Sequence, residues 1–196
     1  MMWPRRHKSP TLGSMSVTYH YDLANLAHDH PAGYKRELKT WADCLAARVG
    51  MAAGGSGTLE LRARHTRTTG RATRDSLVVA AAPHSTPSDI ARLQHWLPAT
   101  DISERGALAV AAASVHILKG LRLREVTLKG QRGDFWLEDN AGVAKGLIEM
   151  SGTQAGSLCS VYFTKRKQVL GNSTANACFV SVTRFNSRDS YFCRVR

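Results

Sequence analysis

GQRGDFWLEDNAGVAKGLIEMSGTQAG, residues Gly130–Gly156, is the stretch on which the fold turns. A short aromatic run, Asp134-Phe135-Trp136-Leu137, follows a glycine and reads as a strand. Glu138-Asp139-Asn140-Ala141-Gly142 supplies a polar, glycine-bearing turn. Gly146-Leu147-Ile148-Glu149-Met150-Ser151 then reads as a second, apolar strand that ends at Gly152. Strand side chains alternate between faces, so Glu149 and Ser151 share one face while Ile148 and Met150 take the other. A carboxylate inside so apolar a run needs a partner, because burying an isolated charge is costly. In an antiparallel pairing Asp134 is the candidate neighbour, and two adjacent carboxylates repel. A divalent cation between them resolves the repulsion.

Outward from this hairpin the elements continue in both directions. Leu121 to Lys129 alternates and reads as a strand leading into the aspartate strand. Before it, Ile102 to Gly120 carries Leu108, Ala111, Ala112, Val115 and Leu118 on one helical stripe. Asp101-x-x-Glu104 fits a capping box at the start of that helix. After the hairpin, Ser157 to Leu170 reads as a helix with Lys165, Arg166 and Lys167 near its end, where cations suit the helix dipole. Strands at Ala177–Arg184 and Tyr191–Val195 close the pattern.

The N-terminal half has a different texture. Residues 1–16 read as a disordered basic tail and Val17 to Tyr21 as a weak strand. His28-Asp29-His30-Pro31 reads as a loop whose two histidines could hold metal but more simply break the chain. Tyr34 to Val49 shows Leu38, Trp41, Leu45 and Val49 at helical spacing, ended by glycines. Thr58–Arg64 and Ser76–Ala81 flank a glycine-containing connection and read as a hairpin. Arg62, Arg64, Arg67, Arg71 and Arg74 make it strongly basic. Two readings of it stand side by side: an arm that contacts phosphates, or a solvated edge that resists aggregation. Pro87 to Trp96 is a short helix that Pro98 closes.

Composition narrows the function. With 27 Lys+Arg against 15 Asp+Glu, the net charge of +12 favours nucleic acid or another anionic surface as partner. A chain of 196 residues with 43% hydrophobic content suits one cored domain, or one with an N-terminal extension. Four cysteines without a C-x-x-C pair (Cys44, Cys159, Cys178, Cys193) read as reduced thiols of a cytoplasmic protein. The run Ala107–Leu118 is too short to span a bilayer, so no membrane partner is expected. Neither a G-x-S-x-G, a Walker G-x-x-x-x-G-K nor a dinucleotide fingerprint occurs, which sets aside acyl-transfer hydrolases, NTPases and Rossmann enzymes.

From Asp101 to Val182 the order is helix, three strands, helix, strand, with an aspartate opening the second strand and a glutamate inside the third. This order resembles the core of the PD-(D/E)XK, or restriction-endonuclease-like, nuclease superfamily. The resemblance implies an α/β (α+β) fold with a central mixed sheet flanked by helices. Residues 101–196 would form the core, and residues 17–100 an N-terminal helix and basic hairpin packed on or extending it. It implies a metal-dependent nuclease acting on DNA or RNA, or else a non-catalytic nucleic-acid- or partner-binding protein on a degenerate version of the fold. Asp134 and Glu149 would be the acids of the motif, the Met150 carbonyl a further metal ligand, and Glu104 the acid that some members place on the first helix. The cofactor would be Mg²⁺, which suits hard oxygen ligands. Lys165, Arg166 and Lys167, with the arginines of the hairpin, would follow the nucleic acid, and a second copy of the chain is a further candidate partner. One position departs from the pattern: the motif lysine is Ser151. Lys145 on the same strand, or Lys165 or Lys167 from the helix, could replace it.

Overall fold

The computed structural model describes residues 18–30, 35–49, 57–66, 72–81, 86–128 and 131–196. Its elements are β1 (Thr18–Asp22), a 3-10 turn (Leu23–Asn25), α1 (Leu26–Asp29), α2 (Lys35–Val49), β2 (Gly57–Thr66), β3 (Ala72–Ala81) and α3 (Pro87–Trp96). They continue with α4 (Ala99–Lys119), β4 (Arg122–Val126), β5 (Phe135–Glu138), β6 (Ala144–Thr153), α5 (Leu158–Leu170), β7 (Cys178–Arg184) and β8 (Asp189–Arg194). All eight strands join one sheet in the order β1-β3-β2-β8-β7-β6-β5-β4. The sheet is mixed: β1/β3, β2/β8 and β6/β7 are parallel, and the other pairs are antiparallel. The fold is therefore α+β, a mixed sheet flanked by helices.

The alternation in β6 decides which helix covers which face. Ile148 and Met150 enter a core with α2 and α4, where Leu38, Trp41 and Leu45 meet Ala107, Val110, Ala111 and Val115. Leu147, one residue out of phase, enters a second core with Leu158 and Val169 of α5 and Cys178, Val180 and Val182 of β7. The small side chains of α4 let it lie close to both α2 and the sheet. Gly120, at φ 63°, caps its C-terminus in the left-handed conformation that disfavours other residues.

Two local expectations are corrected. Asp101-x-x-Glu104 is not a capping box, because α4 already begins at Ala99, with Pro98 as its N-cap residue. Proline thus separates two helices that nearly abut, and Glu104 lies within the second turn of α4. The capping box occurs instead on α3, where Thr86 and Asp89 bond each other's main-chain N–H groups. The basic hairpin, β2/β3, is not a free arm or an edge either. It is inserted between β1 and β8, so its strands have neighbours on both sides.

The His28-Asp29-His30 segment is also more than a loop. α4 touches strands from both ends of the sheet, β1 and β3 as well as β4, β6 and β7, so the sheet wraps around it. α1 bridges the wrapped edges. Tyr21 of β1 donates to Asp29 Oδ2 at 2.8 Å, and His116 Nε2 of α4 lies 3.5 Å from the same oxygen. His30 is buried, and its Nδ1 accepts the main-chain N–H of Leu123 in the edge strand β4 at 3.0 Å. Its acceptor role requires a neutral ring. Burial first, then the neighbouring His116 and Arg122, lower its pKa from 6.5 to about 4, against the opposing pull of Asp29 and the Ala112 carbonyl. A depressed folded-state pKa means that the unfolded chain takes the proton first. Stability supplied by His30 is therefore complete above pH 6.5 and is lost as pH falls towards 4. About 3 kcal/mol is at stake over that window. His30→Asn, whose side-chain oxygen can accept the same N–H, is expected to flatten urea-derived stability across this range. Parallel wild-type and variant curves would remove His30 as the cause.

Candidate metal and phosphodiester site

Asp134 lies one residue before β5, at the point where the β5/β6 ladder ends. Its main-chain N–H donates to the Ile148 carbonyl at 2.8 Å, and its Oδ2 accepts the Met150 N–H at 2.6 Å. The aspartate side chain thus adds a last rung to the ladder and straddles Glu149. Ile148 and Met150 direct their main-chain groups to the β5 side, so the Met150 carbonyl points past the end of β5, towards Asp134.

Glu149 itself is fully buried. Its Oε1 accepts from Lys165 Nζ of α5 at 2.6 Å, and its Oε2 is a buried oxygen with no hydrogen-bond partner. Burial pushes the Glu149 carboxyl above the usual carboxylate range, and the charge of Asp134 adds to this; the Lys165 ammonium opposes both. The Asp134 carboxyl is also raised, by burial first and by Glu104, against the Met150 N–H and Lys165. Asp134 is therefore coupled electrostatically to Glu149, Glu104 and Lys165, and Glu149 to Asp134 and Lys165. Three of them, Glu104, Asp134 and Lys165, line a cleft of about 310 Å³ with Leu108, Val126, Phe135, Met150 and Ser151.

The remaining predicted residues divide plainly. Ser151 lines the cleft from β6. Lys145 does not approach it: at the opposite end of β6, its Nζ pairs with Asp139 at 2.9 Å and holds the β5/β6 turn. Arg166 and Lys167 are exposed on α5. Arg62 and Arg64 lie in β2, with Arg64 opposite Arg74 of β3. Arg67 and Arg71 lie outside the described residues. Lys165 had a sequence signal beyond its charge. Leu158, Tyr162, Lys165 and Val169 recur at helical spacing, so a lysine occupies the sheet-facing stripe of α5. Leu108 had only the signal of an apolar helical stripe and Val126 and Phe135 that of strand residues; only the tertiary fold brings three separate elements to one cleft.

Among the described residues no three His, Cys, Asp or Glu side chains cluster as a metal site. Asp134, Glu149 with its unpartnered Oε2, and the Met150 carbonyl are all hard oxygen donors. Mg²⁺ accepts such a partial set, keeping several waters and taking substrate phosphate oxygens as its remaining ligands.

No family model, no curated protein and no solved structure matches the chain. The functional reading therefore rests on this geometry. No helix among the described residues is long and apolar enough to cross a membrane.

Proposed function

We propose that the chain is a metal-dependent nuclease on a restriction-endonuclease-like core, acting on DNA or RNA phosphodiesters. The observation that carries the reading is the presence of Asp134 and Lys165 at one cleft, with Glu149 buried beside it on the Lys165 ammonium. The order α4-β4-β5-β6-α5-β7, with β6 parallel to β7, supports it. So does the net charge of +12.

In this reading Asp134, Glu149 and the Met150 carbonyl would hold Mg²⁺, and the ion would supply water activation and charge neutralisation at the phosphate. The chain's own residues do the rest. Asp134 is fixed by two main-chain bonds, so its free oxygen keeps one direction. Lys165 supplies the positive charge that Ser151 cannot, from the helix instead of the strand, where it can stabilise charge developing on the phosphate. The apolar wall of Phe135, Leu108 and Val126 lowers the local dielectric and strengthens these interactions.

A second reading has its own observation. Lys165 already neutralises Glu149 at 2.6 Å, as an inert ion pair in a binding-only fold would. Cleavage separates the two. Wild type with Mg²⁺ is expected to nick plasmid DNA, or to cut single-stranded DNA or RNA, and chelation should stop it. Asp134→Asn and Glu149→Gln should each lower the rate about a hundredfold or more. Wild type inert on all three substrates would leave only the binding reading.

A further inference from the structure

The cleft does not end at Ser151. A second cleft of about 280 Å³ begins where the first stops, lined by Gly152, Thr153 and Gln154 of β6 and its exit, and by Thr100 and Ser103 of α4. Glu104 belongs to both, so the two clefts adjoin at Glu104 near the last residues of β6. The far wall is Arg48 of α2. Its guanidinium donates to the Ala99 carbonyl, while its Nε is buried with no hydrogen-bond partner. That end of the groove is held by paired contacts between helices, because Gln94 of α3 also donates to the Ala47 carbonyl at 3.3 Å.

Trp96 ends α3 at this corner. Only Leu97 and Pro98 separate it from Ala99 on the groove wall, so their Cα atoms lie within about 11 Å of each other. The Trp96 side chain is 75% exposed, with His95 edge-on to it at 5.9 Å. An indole so exposed contributes little to a core. A short step along the chain from the Ala99 wall of the groove, where the Arg48 guanidinium is bonded, it can serve as a stacking platform.

We infer that this extension binds the unpaired nucleotides flanking the reactive phosphodiester, with a phosphate on Arg48 and a base stacked on Trp96. The inference rests on the proposed nuclease reading and narrows its substrate to single-stranded nucleic acid. Stacking on Trp96 needs a base whose face is free, which a paired duplex does not offer. Glu104 disfavours a phosphate at the junction, so the two phosphate positions fall on either side of it.

The test uses the full chain carrying Asp134→Asn, in chelator, so that binding is measured without cleavage. The probes are a fluorescein-labelled oligothymidine and a duplex of equal length, followed by anisotropy. The single strand is expected to bind at least about tenfold more tightly than the duplex, and Trp96→Ala to weaken it by about tenfold. Trp96→Phe should retain most of the affinity. Arg48→Ala should reduce the salt slope by about 0.7, as for one single-strand phosphate. Trp96 is exposed, so its replacement tests the site without threatening the fold. Single-strand affinity indifferent to Trp96→Ala, or a duplex bound more tightly than the single strand, would overturn the inference. Wild type that never cleaves, with binding still dependent on Trp96, would sink the nuclease reading alone.

Discussion

Lys165→Met is expected to lower cleavage about a hundredfold to a thousandfold and to destabilise the fold, and the two losses are separable. Lys165 Nζ is the partner of a fully buried carboxylate. Removing one member of a buried pair costs about 3–5 kcal/mol when the other must stay charged. Glu149 has an escape, because its pKa is already raised and the loss of the ammonium raises it further. The variant therefore takes up a proton at Glu149 more readily than wild type as pH falls. A group whose folded-state pKa exceeds its unfolded value stabilises the fold when protonated, and that contribution is lost as pH rises through the folded pKa. Lys165→Met should thus recover stability on acidification, opposite in sign to the His30 effect. Lys165→Met combined with Glu149→Gln should recover most of the stability at neutral pH, yet remain inactive. The catalytic loss, about a hundredfold to a thousandfold, should persist wherever folding is intact. Adding Ser151→Lys to Lys165→Met returns an ammonium to the same cleft from β6, on the face that Glu149 uses. Partial return of cleavage in that double variant would assign the role to the charge and not to the helix that carries it. Cleavage at the wild-type rate in Lys165→Met itself would remove Lys165 from the chemistry.

The strand alternation at Ile148, Glu149 and Met150 was legible because period two has only one consistent assignment when one face is apolar. The two separate cores bear it out. The pairing of Asp134 with the β6 strand was legible for a related reason: a short polar turn leaves adjacent strands little choice but to pair. The start of α4 was not, since a proline between two helices reads as a stop for one and hides the start of the next. That Asp101 and Glu104 fit a cap by spacing alone shows how weak a four-residue pattern is when the boundary is misplaced. The place of the hairpin in the sheet was hidden for a deeper reason. β2 meets β8 across more than a hundred residues of sequence, with Arg62 in register with Asp189, and nothing local encodes such a partner. Lys145 and Lys165 were equal candidates by charge. Only the fold shows that one is held by Asp139 at the wrong end of the strand, while the other crosses from α5 to Glu149.

Gly152→Ala is expected to cost as much activity as a change at the reacting groups, although Gly152 bears no functional atom. β6 and α4 touch here backbone to backbone. A Cβ at Gly152 would lie 2.8 Å from the Ala107 Cβ and closer still to the Ser103 carbonyl oxygen. Neither neighbour is a flexible side-chain end, so the helix or the strand must move. Overpacking of this kind costs about 1–3 kcal/mol. The helix is the more consequential of the two, because Glu104 is the next residue after Ser103 and acts on Asp134 from across the cleft. A displacement of about 1 Å in a positioning element can cost a hundredfold in rate. Gly142→Ala supplies the control. Gly142 sits in the β5/β6 turn at φ 76° with open space around it, so alanine there is strained by about 1–3 kcal/mol without pressing on α4. At matched loss of stability, measured by urea unfolding, Gly142→Ala should keep its cleavage rate and Gly152→Ala should lose about a hundredfold. Equal rates in the two variants would mean that the approach of α4 to β6 sets stability only, and that Glu104 takes no part in shaping the site.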